Sequence, residues 1–272
     1  MYICATLKRP MKLKFYKYQG TGNDFVMIDN RDKEVSKNDT KLINHLCDRK
    51  FGIGADGLIL LENSEDPEDD FKMVYFNADG NESSMCGNGG RCLVAFANFL
   101  GIIKDSARFT AIDGVHKASI EGDVVSLKMQ NVESISENED FIFLDTGSPH
   151  HILFTENVNK VDIKKEGSAI RYSERYKANN GTNVNFVEAI AKDTFSVRTY
   201  ERGVEDETLS CGTGVTAVAL AAFKSSKTNS NKVKLVTPGG KLSVSFKETE
   251  KGFSDVWLSG PAEFVFKGEI VC

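Results

Sequence analysis

CGNG at residues 86–89 and CGTG at residues 211–214 are near-matching segments, and each leads directly into an apolar run. These runs, 93–100 and 217–223, have almost no polar face, which predicts two helices that are buried on all sides. Each glycine-rich segment then lies at a helix N-terminus, where unpaired amides and the helix dipole favour negative charge. We therefore predict that the two leading cysteines have lowered pKa values and serve as bases or nucleophiles.

The similarity extends upstream of the two cysteines. Tyr75 lies eleven residues before Cys86, and Tyr200 lies eleven residues before Cys211. A glutamate also stands four residues before each cysteine. Shared offsets of this kind indicate an internal duplication, and the long period favours two related domains over a solenoid. Two thiols contributed by the two halves suit a nearly symmetric reaction, such as inversion of a stereocentre.

The predicted fold class is α/β, of the α+β kind, with two pseudo-symmetric domains. Each domain is expected to be a mostly antiparallel sheet wrapped round a central helix, with the active site in the cleft between the domains. The predicted domain bounds are 12–130, together with a C-terminal strand at about 262–272, and 131–261. Residues 1–10 are expected to be an extension outside the fold.

Hydrophobic patterning gives the expected elements. Strands are predicted in the first half at 12–18, 25–30, 72–77 and 124–129. Strands are predicted in the second half at 141–145, 151–155, 183–189, 194–200 and 255–258. A peripheral helix is predicted at 38–49, and polar loops are predicted at 62–70, 134–140 and 225–232.

Composition excludes several classes of protein. A net charge of −5 gives no electrostatic argument for binding nucleic acid or an anionic membrane. No apolar run approaches the length of a membrane span. Six cysteines in 272 residues are too sparse for a disulfide scaffold, and their spacing does not fit a metal site. We expect a cytoplasmic protein that binds no metal, nucleic acid or membrane.

Several longer segments carry a resemblance to a known family. They are 20–25 (GTGNDF), 76–80 (FNADG), 86–92 (CGNGGRC), 201–203 (ERG) and 211–214 (CGTG). Together they resemble the motif set of the diaminopimelate epimerases, in order from Lys12 to about Ile270. The resemblance implies an enzyme without a cofactor that interconverts LL- and meso-diaminopimelate, on the path to lysine and peptidoglycan. The expected assembly is a homodimer.

The expected chemistry follows from the weak acidity of an amino-acid α-hydrogen. Without pyridoxal phosphate as an electron sink, the site itself must stabilise the carbanion. Backbone amides at Gly87-Asn88 and Gly212-Thr213 would bind the α-carboxylate as it gains enolate character. One cysteine, as thiolate, would remove the hydrogen from one face, and the other, as thiol, would return one to the opposite face.

The resemblance also implies roles for side chains outside the cysteine segments. Glu201 would hold the α-ammonium group and help to tune the thiols. Arg202 would bind the distal carboxylate through a planar fork that lysine cannot reproduce. His150 would lie near one cysteine and tune its pKa. Three asparagines would recognise the distal end of the substrate: Asn23, Asn77 and Asn183.

The chain departs from the family pattern at two positions and leaves alternatives open. Ser148 stands where the family commonly has Asn, and Gly57 stands where some members carry Gln. A Gln contact at Gly57 would be lost or supplied by backbone. The competing enzyme is a proline racemase or another cofactor-free racemase of the same fold, although proline racemases usually have His at the position of Asn88. A non-catalytic relative or a binding module is the other alternative.

Overall fold

The computed structural model describes residues 12–83, 85–178 and 180–272. Within these ranges the protein has seventeen strands, five α-helices and one short 3₁₀ helix. The sheet-dominated α+β fold confirms the predicted fold class. The predicted extension at 1–10 lies outside the described residues.

The first half contains seven strands and two helices. The strands are β1 (Lys12–Gly20), β2 (Asn23–Asp29), β3 (Gly57–Glu62), β4 (Phe71–Asn77), β5 (Ser106–Ala111), β6 (Gly114–Glu121) and β7 (Val124–Lys128). The helices are α1 (Thr40–Cys47) and α2 (Gly87–Phe99).

The second half contains ten strands, three α-helices and the 3₁₀ helix Val158–Lys160. The strands are β8 (Ile135–Glu137), β9 (Ile142–Asp145), β10 (Pro149–Phe154), β11 (Asn183–Ala191), β12 (Thr194–Glu201), β13 (Asp206–Thr208), β14 (Lys232–Thr237), β15 (Gly240–Thr249), β16 (Gly252–Pro261) and β17 (Glu263–Val271). The helices are α3 (Ile163–Arg171), α4 (Glu174–Lys177) and α5 (Gly212–Lys224).

The strand pairing repeats between the halves. In the first half β2 and β3 are parallel, β3 and β4 antiparallel, β4 and β5 parallel, and β5, β6 and β7 antiparallel in turn. In the second half β10 to β12, β14, β15 and β16 follow the same sequence of parallel and antiparallel pairs. The predicted duplication is therefore visible as a repeated topology.

Two contacts of the sheet join the C-terminal part of the chain to the first half. Strand β16 pairs antiparallel with β7, with Leu258 opposite Leu127. Strand β17 pairs antiparallel with β1, from Val271 opposite Lys12 to Glu263 opposite Gln19. The chain thus returns to the first half after completing the second.

Helices α2 and α5 lie in one continuous apolar core with the sheet. Leu93 and Phe96 of α2 are fully buried, as are Val218 and Leu220 of α5. Helix α5 is buried on nearly all sides, and its buried Thr216 hydroxyl donates to the Gly212 carbonyl at 2.9 Å. Helix α2 is less enclosed than predicted. Phe99, in its last turn, is 52% exposed and stacks on Phe264 of β17.

Several elements differ from the predictions. The polar stretch predicted as a loop at 134–140 contains the short strand β8, which pairs with β9. Strands β3, β5, β13, β14 and β15 were not predicted. Strand β6 was not predicted either, because it exposes much of its surface and its apolar alternation is weak. In the described part of the chain, no helix combines the length and apolar character needed to cross a bilayer.

His151, next to a predicted site residue, is part of the packing of the second half. It stacks on Phe141 with ring centroids 4.2 Å apart, and its Nδ1 shares a 2.6 Å hydrogen bond with the hydroxyl of Tyr176. Burial lowers the pKa of His151 to about 4, and the charge of Arg175 acts in the same direction. Between about pH 6.5 and pH 4, His151 is therefore protonated in the unfolded chain but neutral in the folded protein.

This difference predicts acid lability. The contribution to stability is complete above about pH 6.5 and is lost as the pH falls towards about 4, because the pKa of His151 is depressed in the folded state. At pH 5 the loss from one such histidine is about 2 kcal/mol. Urea unfolding of wild type and His151→Phe at pH 7 and pH 5 measures this loss as a difference in the free energy of unfolding. The variant should lose correspondingly less stability, and equal losses would contradict the assignment.

Candidate active site

The N-termini of α2 and α5 meet directly. Cys86 precedes the first residue of α2 and Cys211 precedes the first residue of α5, both with extended backbone and neither capping its helix with its side chain. A Cβ added to Gly87 would lie 3.8 Å from the Cα of Gly212, and one added to Gly212 would lie 3.6 Å from the Cα of Gly87. The two first turns therefore lie within van der Waals distance of each other, and their amides border one small space.

The two thiols have different immediate partners. The Cys86 Sγ donates to the side-chain oxygen of Asn23 at 3.6 Å. The Cys211 Sγ lies 3.4 Å from the hydroxyl oxygen of Thr213. The site is therefore pseudo-symmetric in its backbone but not in its hydrogen bonding.

The predicted lowering of the thiol pKa values is wrong for this structure. Burial raises the pKa of Cys86, and the nearby Glu201 adds to the rise, although the amides of Gly89 and Asn88 oppose it. Burial also raises the pKa of Cys211, again with Glu201 adding to the effect. The helix N-termini act in the predicted direction, but loss of solvation outweighs them, because a buried thiolate loses its water. Both thiols are neutral near pH 7 in this state.

These shifts predict the pH dependence of thiol reactivity in the free enzyme. Since a raised pKa moves thiolate formation to higher pH, alkylation of Cys86 and Cys211 should still be rising above pH 9. Iodoacetamide labelling from pH 7 to pH 10, quantified by peptide mapping, measures both rates. The exposed Cys272 provides a reference thiol in the same sample. A plateau below pH 8 at either site cysteine would show that the thiols are acidic after all.

His150 is connected to Cys211 through one hydroxyl group. It is fully buried, and its Nε2 lies 3.0 Å from the Oγ1 of Thr213. Its Nδ1 lies 2.9 Å from the Oδ1 of Asn185, whose amide nitrogen donates to Thr199 at 2.8 Å. With this arrangement Nδ1 carries the proton and Nε2 accepts from Thr213. Burial lowers the pKa of His150 to about 4, so the ring is neutral at pH 7.

Glu201 lies close enough to both thiols to raise the pKa of each. The hydroxyl of Thr208 donates to its Oε2 at 2.8 Å. Burial raises the pKa of Glu201, and the Thr208 hydrogen bond opposes the rise. It is therefore a poorly solvated carboxyl group beside the thiol pair, where a cationic group of a ligand would stabilise its charge.

Arg202 forms a second group with Asn183 and Ser148. The Asn183 side chain accepts from the Arg202 amide at 2.9 Å and donates to the Ser148 hydroxyl at 2.8 Å. The Arg202 guanidinium donates to the same hydroxyl at 3.3 Å. Among the residues that the structure describes, no carboxylate pairs with this guanidinium, which leaves its other N–H groups for an anion. Ser148, the departure from the family pattern, therefore links the two predicted binding residues.

Asn23 and Asn88 lie at the centre of the site, whereas Asn77 does not. The Asn88 amide nitrogen donates to the carbonyl of Ser210 at 3.1 Å and lies 3.5 Å from the Oδ1 of Asn23. The Asn88 side chain is thus occupied by protein partners, so its predicted contact with a substrate falls to its backbone amide, which also faces the Cys86 thiol. Asn77 ends β4 with an exposed side chain, and none of its hydrogen bonds among the described residues reaches the cysteines.

Tyr75 was missed as a site residue by the sequence analysis. A Cβ on Gly57 would lie 2.6 Å from the Tyr75 ring and 3.1 Å from its hydroxyl oxygen, so this phenol fills the space beside Gly57. Burial raises the Tyr75 pKa, and the nearby Cys86 adds to the rise, so the hydroxyl stays protonated. The available signal was Gly57, which stands where some family members carry Gln. In a closely packed sheet, the space left by the smaller residue must be filled by another side chain.

Comparison with known proteins assigns the family. A family model described as diaminopimelate epimerase matches residues 15–134 and 142–265. A diaminopimelate epimerase from Flavobacterium psychrophilum is 58% identical over 259 residues, which cover 95% of this chain and 100% of that protein. One from Aquifex aeolicus is 41% identical over 278 residues, covering 95% of this chain and 98% of that protein.

Solved structures show how widely the fold occurs. A PhzF-family phenazine biosynthesis protein from Bacillus anthracis is similar with a TM-score of 0.77 and 13% identity, covering 96% of this chain and 100% of that one. A hydroxyproline epimerase from Agrobacterium vitis is similar with a TM-score of 0.67 and 12% identity, covering 97% and 92%. At these identities the likeness shows the fold alone. The near full-length sequence matches show more: the chain is an isomerase that belongs to the diaminopimelate epimerase family.

Proposed function

We propose that the protein interconverts LL- and meso-diaminopimelate without a cofactor, by a two-thiol mechanism with Cys86 and Cys211. The observation that carries the proposal is the direct meeting of two helix N-termini, each led by one of these cysteines. An α-carbon bound between the two thiols would present one face to each. Removal of a hydrogen on one face and return on the other inverts the centre.

The carbanion needs stabilisation at its carboxylate. The first amides of α2 and α5 have no partner four residues earlier in their helices, and both helix dipoles direct positive potential at the same space. In this proposal the amides of Gly87, Asn88, Gly212 and Thr213 bind the α-carboxylate as it gains enolate character. Loss of one such preorganised donor typically costs 10²–10³ in rate, which is about 3–4 kcal/mol.

His150 has the role of proton acceptor in this proposal. Because burial keeps both thiols neutral, one of them must lose its proton before the α-hydrogen can be removed. Cys211 can pass its proton to Thr213 while the Thr213 hydroxyl passes its own to Nε2 of His150. The result is a thiolate, an unchanged threonine and an imidazolium whose Nδ1 proton is held by Asn185. Binding of the substrate ammonium beside Glu201 neutralises the negative charge of this carboxylate, which otherwise disfavours the thiolate.

Recognition of the distal end favours diaminopimelate over proline. A proline racemase substrate has no second carboxylate, whereas Arg202 offers a guanidinium that lacks a carboxylate partner among the described residues. The Ser148 hydroxyl accepts from the guanidinium, and Asn183 accepts from the Arg202 backbone amide, which leaves the other guanidinium N–H groups for the distal carboxylate. A proline-racemase-like activity is the alternative proposal, and it makes no use of this group.

A substrate panel tests the proposed function. Purified protein without added pyridoxal phosphate is incubated with LL-diaminopimelate, L-lysine, L-glutamate and L-proline, followed by chiral analysis. Conversion of diaminopimelate alone is expected. Racemisation of proline would select the alternative, and turnover of none of the four would argue for a binding protein. The reaction would serve lysine and peptidoglycan precursor synthesis in the cytoplasm.

We also propose that two copies associate through β17. This strand pairs only with β1 among the described residues, so its other edge is free. Phe264, Val265 and Phe266 are each about half exposed, and their alternation places apolar groups on both faces of the edge. A second copy fits this surface best, because an antiparallel edge pairs with itself across a two-fold axis. Such an unprotected edge is otherwise a site of aggregation.

The association should depend on the apolar edge. Val265→Lys places a charge on it and is expected to convert a dimer into a monomer in sedimentation velocity at micromolar concentration. Ile112→Lys, at an exposed apolar side chain on the β5–β6 turn, is the matched control and should leave the dimer intact. A wild-type monomer, or a Val265→Lys dimer, would overturn the proposal.

A further inference from the structure

Arg91 is the largest fully buried side chain among the described residues, and it lies beneath the Cys86 loop. Its guanidinium donates to the Oδ1 of Asn88 at 3.0 Å and to the hydroxyl of Thr21 at 3.2 Å. It also reaches the carbonyl oxygens of Gly87 and Pro261 at 3.4 and 3.5 Å. All four acceptors are uncharged.

The positive charge has no ionic partner. No carboxylate in residues 12–83, 85–178 or 180–272 forms an ion pair with Arg91, and residues 1–11, 84 and 179 contain no Asp or Glu. A buried charge without a counter-charge is costly, and an arginine does not escape the cost by losing its proton. Most other buried or partly buried arginines of the described residues are paired, as Arg198 is with Glu207 at 2.6 Å. Arg202 at the site is the exception, and its free N–H groups are assigned to the substrate. The fold thus keeps a buried and unpaired positive charge, which lowers the free energy of unfolding, within two turns of Cys86.

The Arg91 contacts also fix the orientation of Asn88. Arginine can only donate, so the Asn88 oxygen must face Arg91 and its nitrogen must face away. That nitrogen donates to the carbonyl of Ser210, the residue immediately before Cys211. The hydrogen-bonded chain from Arg91 through Asn88 to Ser210 therefore connects the helix of one cysteine to the loop of the other.

We propose that Arg91 is a positioning residue of the two-thiol site, which orients Asn88 as a clamp between the cysteine loops and leaves its own charge unpaired to favour negative charge at Cys86. The Arg91 guanidinium lies on the Cys86 side of the site, where it donates to the carbonyl oxygen of Gly87, the residue after Cys86. Its charge opposes the rise in the Cys86 pKa that burial causes. The inference rests on the proposed function, because it assumes that Cys86 must become a thiolate.

Alkylation of the free enzyme distinguishes an effect of the Arg91 charge from an effect of Arg91 packing. In Arg91→Gln, which keeps a polar side chain but loses the charge, iodoacetamide labelling of Cys86 at pH 8 should slow about tenfold, because loss of the positive charge leaves less of the thiol ionised. Labelling of Cys211 should change no more than it does in Arg91→Lys, because both variants disturb the Asn88–Ser210 contact. In Arg91→Lys, which keeps the charge, Cys86 should react at close to the wild-type rate. Equal changes at both cysteines, or no change at Cys86 in Arg91→Gln, would overturn the role of the charge.

The clamp is tested by a double-mutant cycle in urea unfolding. Arg91→Lys and Asn88→Ala should each lower the unfolding midpoint, and the double variant should unfold close to the less stable single variant, because both break one chain of contacts. Additive shifts would overturn the clamp. Neither arm uses substrate, so a protein that shows these responses but does not turn over diaminopimelate would refute the proposed function and not this inference.

Discussion

Cys86→Ala and Cys211→Ala are each expected to lower kcat for epimerisation of diaminopimelate by about a thousandfold or more. Each variant lacks one of the two groups that exchange a proton with the α-carbon, and positioned acid–base groups typically contribute 10²–10⁴. Cys→Ser at either position should restore little, because an alcohol is a far weaker acid than a thiol. Chiral chromatography of the two diastereomers measures the rates.

The loss should be confined to these two thiols. Cys47 is a buried cysteine at the end of α1, so Cys47→Ala is the matched control and should keep near wild-type activity. Folding of all variants can be compared by thermal unfolding. Wild-type epimerisation in either site variant would end the two-thiol mechanism, whatever the behaviour of the control.

Arg202→Lys is expected to reduce kcat/KM for diaminopimelate about a hundredfold, or about 2.7 kcal/mol of transition-state binding. A lysine supplies a point charge in place of a planar fork, and it cannot donate to Ser148 and to a carboxylate in the same geometry. L-Lysine lacks the distal carboxylate and is not expected to be converted, so its inhibition constant against diaminopimelate should change less than kcat/KM does. Wild-type enzyme should therefore discriminate between the two amino acids more strongly than the variant.

The matched control is Arg31→Lys. Arg31 pairs with Asp29 at 2.7 Å on the surface, so the same substitution there should leave kcat/KM unchanged. If Arg202→Lys keeps wild-type kcat/KM, Arg202 does not contact the distal carboxylate, and the substrate assignment loses its main specificity argument.

The cysteine segments show what a sequence can reveal. Glycine-rich stretches followed by apolar runs predicted two helix N-termini, and α2 and α5 begin directly after Cys86 and Cys211. Repeated offsets predicted duplication, which appears as a repeated strand order. These features depend on local backbone preferences and on periodicity, and both can be read along the chain.

The electrostatic balance of the site could not be read in the same way. A helix N-terminus lowers a thiol pKa and burial raises it, and only the folded structure shows that burial is the larger effect here. Arg91 stood in a quoted motif, but its lack of a counter-charge depends on residues distant in sequence, such as Thr21 and Pro261. Tyr75 likewise reaches the site only through the fold, which places its phenol beside Gly57 and near Cys86.

The most direct test of the central claim is the fate of the α-hydrogen in D₂O. Protein free of pyridoxal phosphate is incubated with LL-diaminopimelate, and the meso product is isolated at low conversion and examined by mass spectrometry. Two opposed thiols predict that the new α-hydrogen comes from solvent, so each meso molecule should carry one deuterium at the inverted centre. Product that retains the original hydrogen would show transfer by a single base and would contradict the two-thiol mechanism.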